Sequence, residues 1–213
     1  MTDIVGARYL MDSWIVAGLI AVTSVTTTMG AFGTMVEDQS TKRIKDIRSA
    51  PLPRVSIAGG YILSAFIIGV IMSVIALVLC ELYIVGGGGA LLGGMALLKV
   101  FGLILLSTFS NTALVLFFVS FFRSNNAFSI ASTIIGTVIG FLTGIYIPIG
   151  SLPEGVQTVI KFFPPSHSAV LLRQVVMAEP LAATFAGIPA EYMESFKETM
   201  GVDIRIHHMA EIG

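Results

Sequence analysis

The side chains in this sequence with chemical potential are few, and most lie at its margins. Asp203, His207, His208 and Glu211 are metal-ligand types, and on a helix Asp203, His207 and Glu211 would share a face at steps of four. The alternation of Val202, Ile204 and Ile206 predicts a strand instead, which sets Arg205 between Asp203 and His207. A cation among the ligands argues against a metal. Glycines at 86–89, with Gly93 and Gly94 behind them, have the composition of a phosphate cradle. Such a cradle needs a following lysine, and Gly-x4-Gly-Lys-Ser/Thr occurs nowhere, so ATP is not bound by that route. The single cysteine, Cys80, allows neither an intramolecular disulfide nor a Cys-rich metal site. Helix-borne His-Glu-x-x-His is absent. Glu81 and Lys99 lie at the ends of apolar runs, so no proton- or ion-coupling charge sits well inside one. No enzyme, no metal and no cofactor is expected.

The elements that carry these residues are unusually apolar. Hydrophobic residues make up 55% of the chain and charged ones 12%, against about 25% charged in an ordinary globular domain. Four runs, at 14–36, 55–80, 100–122 and 127–149, contain no charge at all. As a helix the first would reach about 34 Å, enough for a hydrocarbon core of about 30 Å. The chain is therefore expected to be an all-α membrane protein with four transmembrane helices. A net charge of −1 gives no reason to expect a nucleic-acid partner.

Lys and Arg placement orients the spans. Residues 37–54 hold Lys42, Arg43, Lys45, Arg48 and Arg54, five of the twelve basic residues. The connection between the second and third runs has none before Lys99. By the positive-inside rule 37–54 is cytoplasmic, as is the turn at 123–126. The N-terminus, the 86–89 loop and everything after residue 149 are then outside. Within the cytoplasmic loop, residues 39–50 are compatible with a short amphipathic helix, Ile44 and Ile47 on one side and charges around the rest. Pro51 and Pro53 end it.

Three further segments carry pattern. The first run is rich in hydroxyls, at Thr23, Ser24, Thr26, Thr27, Thr28 and Thr34. Spread around the helix, they cannot all face one wet cavity, so bonds to carbonyls one turn back or to neighbouring helices explain them better. In the fourth run Ser132, Gly136, Gly140 and Gly144 recur every four residues, a small-residue face on which another helix could pack, from this chain or a second copy. Beyond it, 156–163 and 168–177 are too short to span and are broken by Pro164 and Pro165. They predict a helix–break–helix element dipping into the outer leaflet. The tail from Ala178 reads as loop, then a helix from Pro189 that Gly201 ends.

Two stretches together resemble the permease subunits of type-2 ABC exporters. One has the acidic pair Glu37 and Asp38, the basic segment 42–48 and Pro51 before a span. The other is the glycine-rich run 136–144, followed by Pro148, Leu152–Pro153 as a pair, an aromatic-Pro element at 163–165 and a turn ending in Arg173. The resemblance implies that 39–50 is a coupling helix docking on a separate cytoplasmic ABC ATPase subunit, with Glu37, Asp38, Lys42, Arg43, Lys45, Asp46 and Arg48 as contact residues. The turn at 123–126 would add a smaller contact. It implies a second permease copy as partner, membrane lipid around both, and an outer re-entrant element marked by Pro148, Leu152, Pro153, Pro164, Pro165 and Arg173. Relatives with six spans would make this chain a fragment lacking the first and last.

The expected organisation is an extracytoplasmic lead-in at 1–13, a four-span domain at 14–149 with its coupling loop at 37–54, outer re-entrant helices at 150–178 and a small extracytoplasmic tail at 179–213. A membrane protein with neither a nucleotide site nor a buried coupling charge must draw energy from a partner. The expected function is a permease subunit of an ATP-driven exporter in a bacterial cytoplasmic (inner) membrane. Its alternative is a non-transporting scaffold or immunity protein of the same architecture.

Overall fold

The computed structural model of the protein describes residues 6–41 and 53–203. Four long helices, α1 (Ala7–Ser40), α2 (Arg54–Gly86), α3 (Gly94–Val119) and α4 (Asn125–Leu142), are each long and apolar enough to cross a membrane. A 3-10 turn at Ile149–Ser151 leads to four shorter helices, α5 (Glu154–Phe162), α6 (Pro164–Val176), α7 (Ala178–Thr184) and α8 (Ala190–Met200). No strand occurs among the described residues. The all-α membrane architecture stands as the apolar runs predicted.

The helix ends differ from the ends of the charge-free runs, for identifiable reasons. With no proline between Ala7 and Ser40, α1 continues past the apolar run, through Glu37 and Asp38. At 34 residues it measures about 51 Å, well beyond a hydrocarbon core. In contrast, α4 stops at Leu142 instead of residue 149. Gly144, at φ +72, donates its N–H to the Phe141 carbonyl at 3.0 Å, and Ile145 donates to the Gly140 carbonyl at 3.0 Å. These paired bonds are a Schellman ending, whose left-handed position favours glycine. Gly144 is a helix stop and not a step of the small-residue ladder.

The segment after α4 folds as helix, break, helix. The break is Phe163, extended at φ −94 and ψ 114, because a residue before proline is pushed out of helical geometry. Pro164 and Pro165 do not interrupt a helix; they begin α6, where a missing N–H costs nothing. Phe163 packs against the cluster of Val25, Met29, Phe32 and Phe128, whereas Met177, just past α6, lies in the cluster around Trp14. The pair thus enters the bundle and returns to the end it left, without crossing. The expected loop from Ala178 is corrected: it folds as α7, on which Pro180 and Leu181 are buried. Helix α8 follows Pro189 and ends at Gly201 as predicted. Of the expected strand, Val202 and Asp203 are both bends, and 204–206 lie outside the described residues.

Three apolar layers are strung along α1. Leu10 and Trp14 meet Met177, Leu181, Met200 and Val202. Val16, Ala17, Ile20 and Ala21 meet α2, α3 and α6. Val25, Met29, Phe32 and Val36 meet α2, α3 and α4. Between the second and third layers lies a polar seam of Ser24, Thr28, Thr108, Asn111 and Thr112, all buried. Gly69 of α2 makes the seam possible. A Cβ there would stand 2.7 Å from Thr108 Cγ2 and 2.7 Å from Thr28 Oγ1. Gly69→Ala is expected to destabilise the bundle by about 1–3 kcal/mol through overpacking. Gly102→Ala, with nothing within 4 Å, should be neutral or gain up to about 1 kcal/mol as a better helix former. Thermal unfolding of the two purified variants in detergent compares them.

Candidate functional site

At the end of the bundle capped by α5–α8, one cation organises the packing. Arg173, in the last turn of α6, is completely buried. Its Nη2 donates to the Thr143 carbonyl at 2.8 Å and its Nη1 to the Gly201 carbonyl at 3.5 Å. Its guanidinium carbon lies 4.9 Å from the Trp14 ring centroid, in cation–π range. The two carbonyls belong to the C-terminal ends of α4 and α8, where aligned peptide dipoles leave partial negative charge. Helix endings therefore take the place of a carboxylate at Nη1 and Nη2, while Nε is buried with no hydrogen-bond partner among the described residues. Arginine is too strong a base to lose its proton here, so it remains a cation at neutral pH.

Trp14 completes the knot: its Nε1–H donates to the Met200 carbonyl at 2.8 Å. Gln174 Nε2 donates to the Val202 carbonyl at 3.1 Å, and Ser166 Oγ to the Leu142 carbonyl at 2.8 Å. These contacts tie α1, α4, α6 and the end of α8 into one unit. Of the residues expected to mark the re-entrant element, Arg173 and Pro165 are buried, Pro148 and Leu152 are half-buried, and Pro153 and Pro164 are exposed. Leu152 contributes its carbonyl, which accepts from Gln157 Nε2 at 2.8 Å.

At the opposite end the acidic pair divides. Asp38 accepts a 2.6 Å hydrogen bond from the Tyr61 hydroxyl of α2, which braces the two helices flanking the basic loop. Glu37 is exposed. Lys42, Arg43, Lys45, Asp46 and Arg48 lie outside the described residues, and so do His207, His208 and Glu211. The described residues contain no cluster able to hold a metal.

On α4 the ladder residues meet different surroundings. A Cβ on Gly140 would run into the Tyr146 ring of the same chain, whereas one on Gly136 would meet nothing within 4 Å. Tyr146, stacked edge-on against Phe141 at 5.0 Å, is folded over Gly140 by the turn at Gly144. Inside this chain the ladder receives a ring at one step and leaves another open.

The buried amide Asn111 escaped sequence reasoning. It donates from Nδ2 to Ser24 Oγ at 2.7 Å, joining α3 to α1. An asparagine beside Ser107, Thr108 and Thr112 in an otherwise apolar run was the available signal, since an amide in hydrocarbon needs a polar partner on another helix. The hydroxyls of the first run behave as expected: Thr26, Thr27 and Thr28 donate to the carbonyls of Val22, Thr23 and Ser24.

Four long apolar helices with a helix–break–helix segment packed among them make a membrane domain. Residues 7–195 match the family model described as ABC-2 family transporter protein, and the chain belongs to that family. No curated protein and no solved structure matches it.

The Arg173 knot carries a testable consequence. Arg173→Met should cost about 1.5–3 kcal/mol for the charge-assisted bond to Thr143 alone. Arg173→Lys should not restore it, because an ammonium cannot span two carbonyls while stacking on Trp14. Trp14→Phe keeps the apolar contact and should lose only about 1 kcal/mol with its bond to Met200. Thermal unfolding gives the ranking, and protease sensitivity of α8 shows whether the cap has come loose.

Proposed function

We propose that the chain is the permease subunit of an ATP-driven exporter, energised by a separate cytoplasmic ATPase subunit that docks on the basic loop at 37–54. It works as a pair of permease copies in the cytoplasmic (inner) membrane of a bacterium. One observation carries this reading: α1 runs unbroken from the Trp14–Arg173 knot to the acidic pair beside the loop. A push on the loop end travels along one continuous helix to the re-entrant pair, which α6 packs directly against it. Family membership supports the transport role, and assigning hydrolysis to a partner is in keeping with a sequence that has no Gly-x4-Gly-Lys-Ser/Thr motif.

The surface offered to the ATPase comprises Glu37 and the basic residues at 42, 43, 45 and 48, with Asp46. Asp38 instead joins α1 to α2 through Tyr61. In the orientation that goes with this reading, the loop is cytoplasmic and the tail with α8 is outside.

Two experiments separate the parts of the reading. Reversing Arg43 and Lys45 to Glu should cut ATPase co-purification about tenfold or more, the equivalent of about 1.4 kcal/mol or greater. Unchanged recovery of the complex and of its ATPase activity would count against the docking surface. A cysteine at the exposed Ser195, in a Cys80→Ala background, should label with an impermeant reagent from outside intact cells. Labelling only after the cytoplasmic face is opened would reverse the orientation of all four spans. The same label in the charge-reversed protein distinguishes lost docking from inverted topology, because Lys and Arg also set orientation.

A further inference from the structure

A groove of about 290 Å³ lies between α1 and α2 near the capped end of the bundle. Val16 and Cys80 in it are buried, whereas Ile15, Leu19, Leu79 and Tyr83 are exposed, so the groove has a protein floor and opens toward lipid. The two helices run antiparallel and keep step. Arg8 Nη2 lies 3.8 Å from where a Cβ on Gly87 would stand, and at the far end Asp38 is bonded to Tyr61. Going down from Arg8 and Gly87, one turn reaches Asp12 and Tyr83, and a second reaches Val16, Leu79 and Cys80. Asp12 to Leu19 spans about 10 Å of helix.

Below Asp12 the groove is apolar, and at its mouth is the one ion pair among the described residues. Arg8 Nε lies 3.6 Å from Asp12 Oδ2, with the Arg8 side chain 73% exposed and that of Asp12 17%. This pair leaves both Nη groups of Arg8 and Oδ1 of Asp12 without a hydrogen-bond partner among the described residues. Any lipid chain could fill the apolar part with little gain over bulk lipid, since hydrocarbon meets hydrocarbon either way. Selectivity must therefore come from the mouth. A guanidinium suits a phosphate, to which it offers paired N–H donors. The carboxylate beside it would repel a purely anionic headgroup and attract one that also carries an ammonium. Tyr83, apolar in its ring and polar at its tip, suits the level where chain gives way to headgroup.

We propose that this groove binds a zwitterionic phospholipid with a primary ammonium, of the phosphatidylethanolamine class. One acyl chain lies between α1 and α2, the phosphate meets the Nη groups of Arg8, and the ammonium donates to Asp12. The lipid joins the first turns of α1 to the last turns of α2 where the two helices leave a gap.

The test uses the full chain, purified in mild detergent and given equal amounts of phosphatidylethanolamine and phosphatidylglycerol. Native mass spectrometry counts the lipids retained on each chain. The parent protein is expected to keep one phosphatidylethanolamine and to prefer it about tenfold. Arg8→Gln should weaken its retention about tenfold, and the variant should fold, because an exposed ion pair adds little stability. Asp12→Asn should retain lipid but lose the preference between the two headgroups. Lys197→Gln, on α8 and outside the groove, should match the parent. A photo-cross-linking side chain in place of Ile15 reads the occupant directly, and its adduct should have the mass of one phospholipid. Equal retention of both lipids by the parent, unchanged retention in Arg8→Gln, or a cross-link from position 15 to a second copy of the chain would overturn the proposal.

Discussion

Hydrocarbon offers no hydrogen bonds, so a polar group on a membrane helix depends on partners inside the protein, and most hydroxyls of the long helix α1 find theirs on its own backbone. Its hydroxyls fold back on its own carbonyls, at Ser24, Thr26, Thr27, Thr28 and Thr34. With most of its hydroxyls bonded to its own backbone, buried Ser13 being an exception, it can sit at the centre of the bundle, where α2, α3, α4, α6 and α7 all pack on it. The three apolar layers and the seam between them are then ordered by position along a single rod. The other long helices present much of their surface outward, as Leu63, Ile71, Leu79 and Leu82 of α2 do. In water such exposure would be a liability, but in lipid it is the solvated state.

The same requirement governs the places where helices stop. Each ending leaves carbonyls unmatched, and in a membrane domain those ends cannot be left to solvent. The carbonyls at the end of α4 are answered by its Schellman bonds, by Ser166 at Leu142 and by Arg173 at Thr143. The end of α8 is answered by Trp14 and Arg173. A re-entrant pair needs such arrangements more than a spanning helix does, since its irregular backbone is inside the bundle. Burying a whole guanidinium there is tolerable because it meets two helix C-termini and an aromatic face.

Most of the architecture was legible because it rests on coarse, repeated signals. Charge-free length revealed the four spans, and Pro164–Pro165 with a short apolar run on each side revealed the non-crossing pair. Boundaries were less legible, since lack of charge reports contact with lipid and helix ends report local breakers. Gly144 illustrates the difficulty: its spacing from Gly136 and Gly140 suggested a packing ladder, and its conformation makes it a stop. Asp38 was grouped with Glu37 by adjacency, yet consecutive helical residues point about 100° apart, so one faces Tyr61 and the other does not. Asn111 was hidden by the hydropathy around it, because one amide scarcely changes the mean of a long apolar run. The role of Arg173 depends on residues 30 positions before it and 28 after it, and no local pattern announces such a meeting.

The cap is fastened almost entirely through main-chain oxygen. Trp14, Arg173 and Gln174 reach the carbonyls of Met200, Gly201 and Val202, and every residue type presents that atom. The fastening is therefore blind to side-chain identity on the α8 side, apart from the glycine that sets the turn and the apolar residues beneath it. The exposed face of α8, with Glu191, Tyr192 and Ser195, is free to diversify without loosening its mount. Natural variants of this protein can accordingly be expected to differ most on that face while keeping the anchoring side chains on α1 and α6 unchanged.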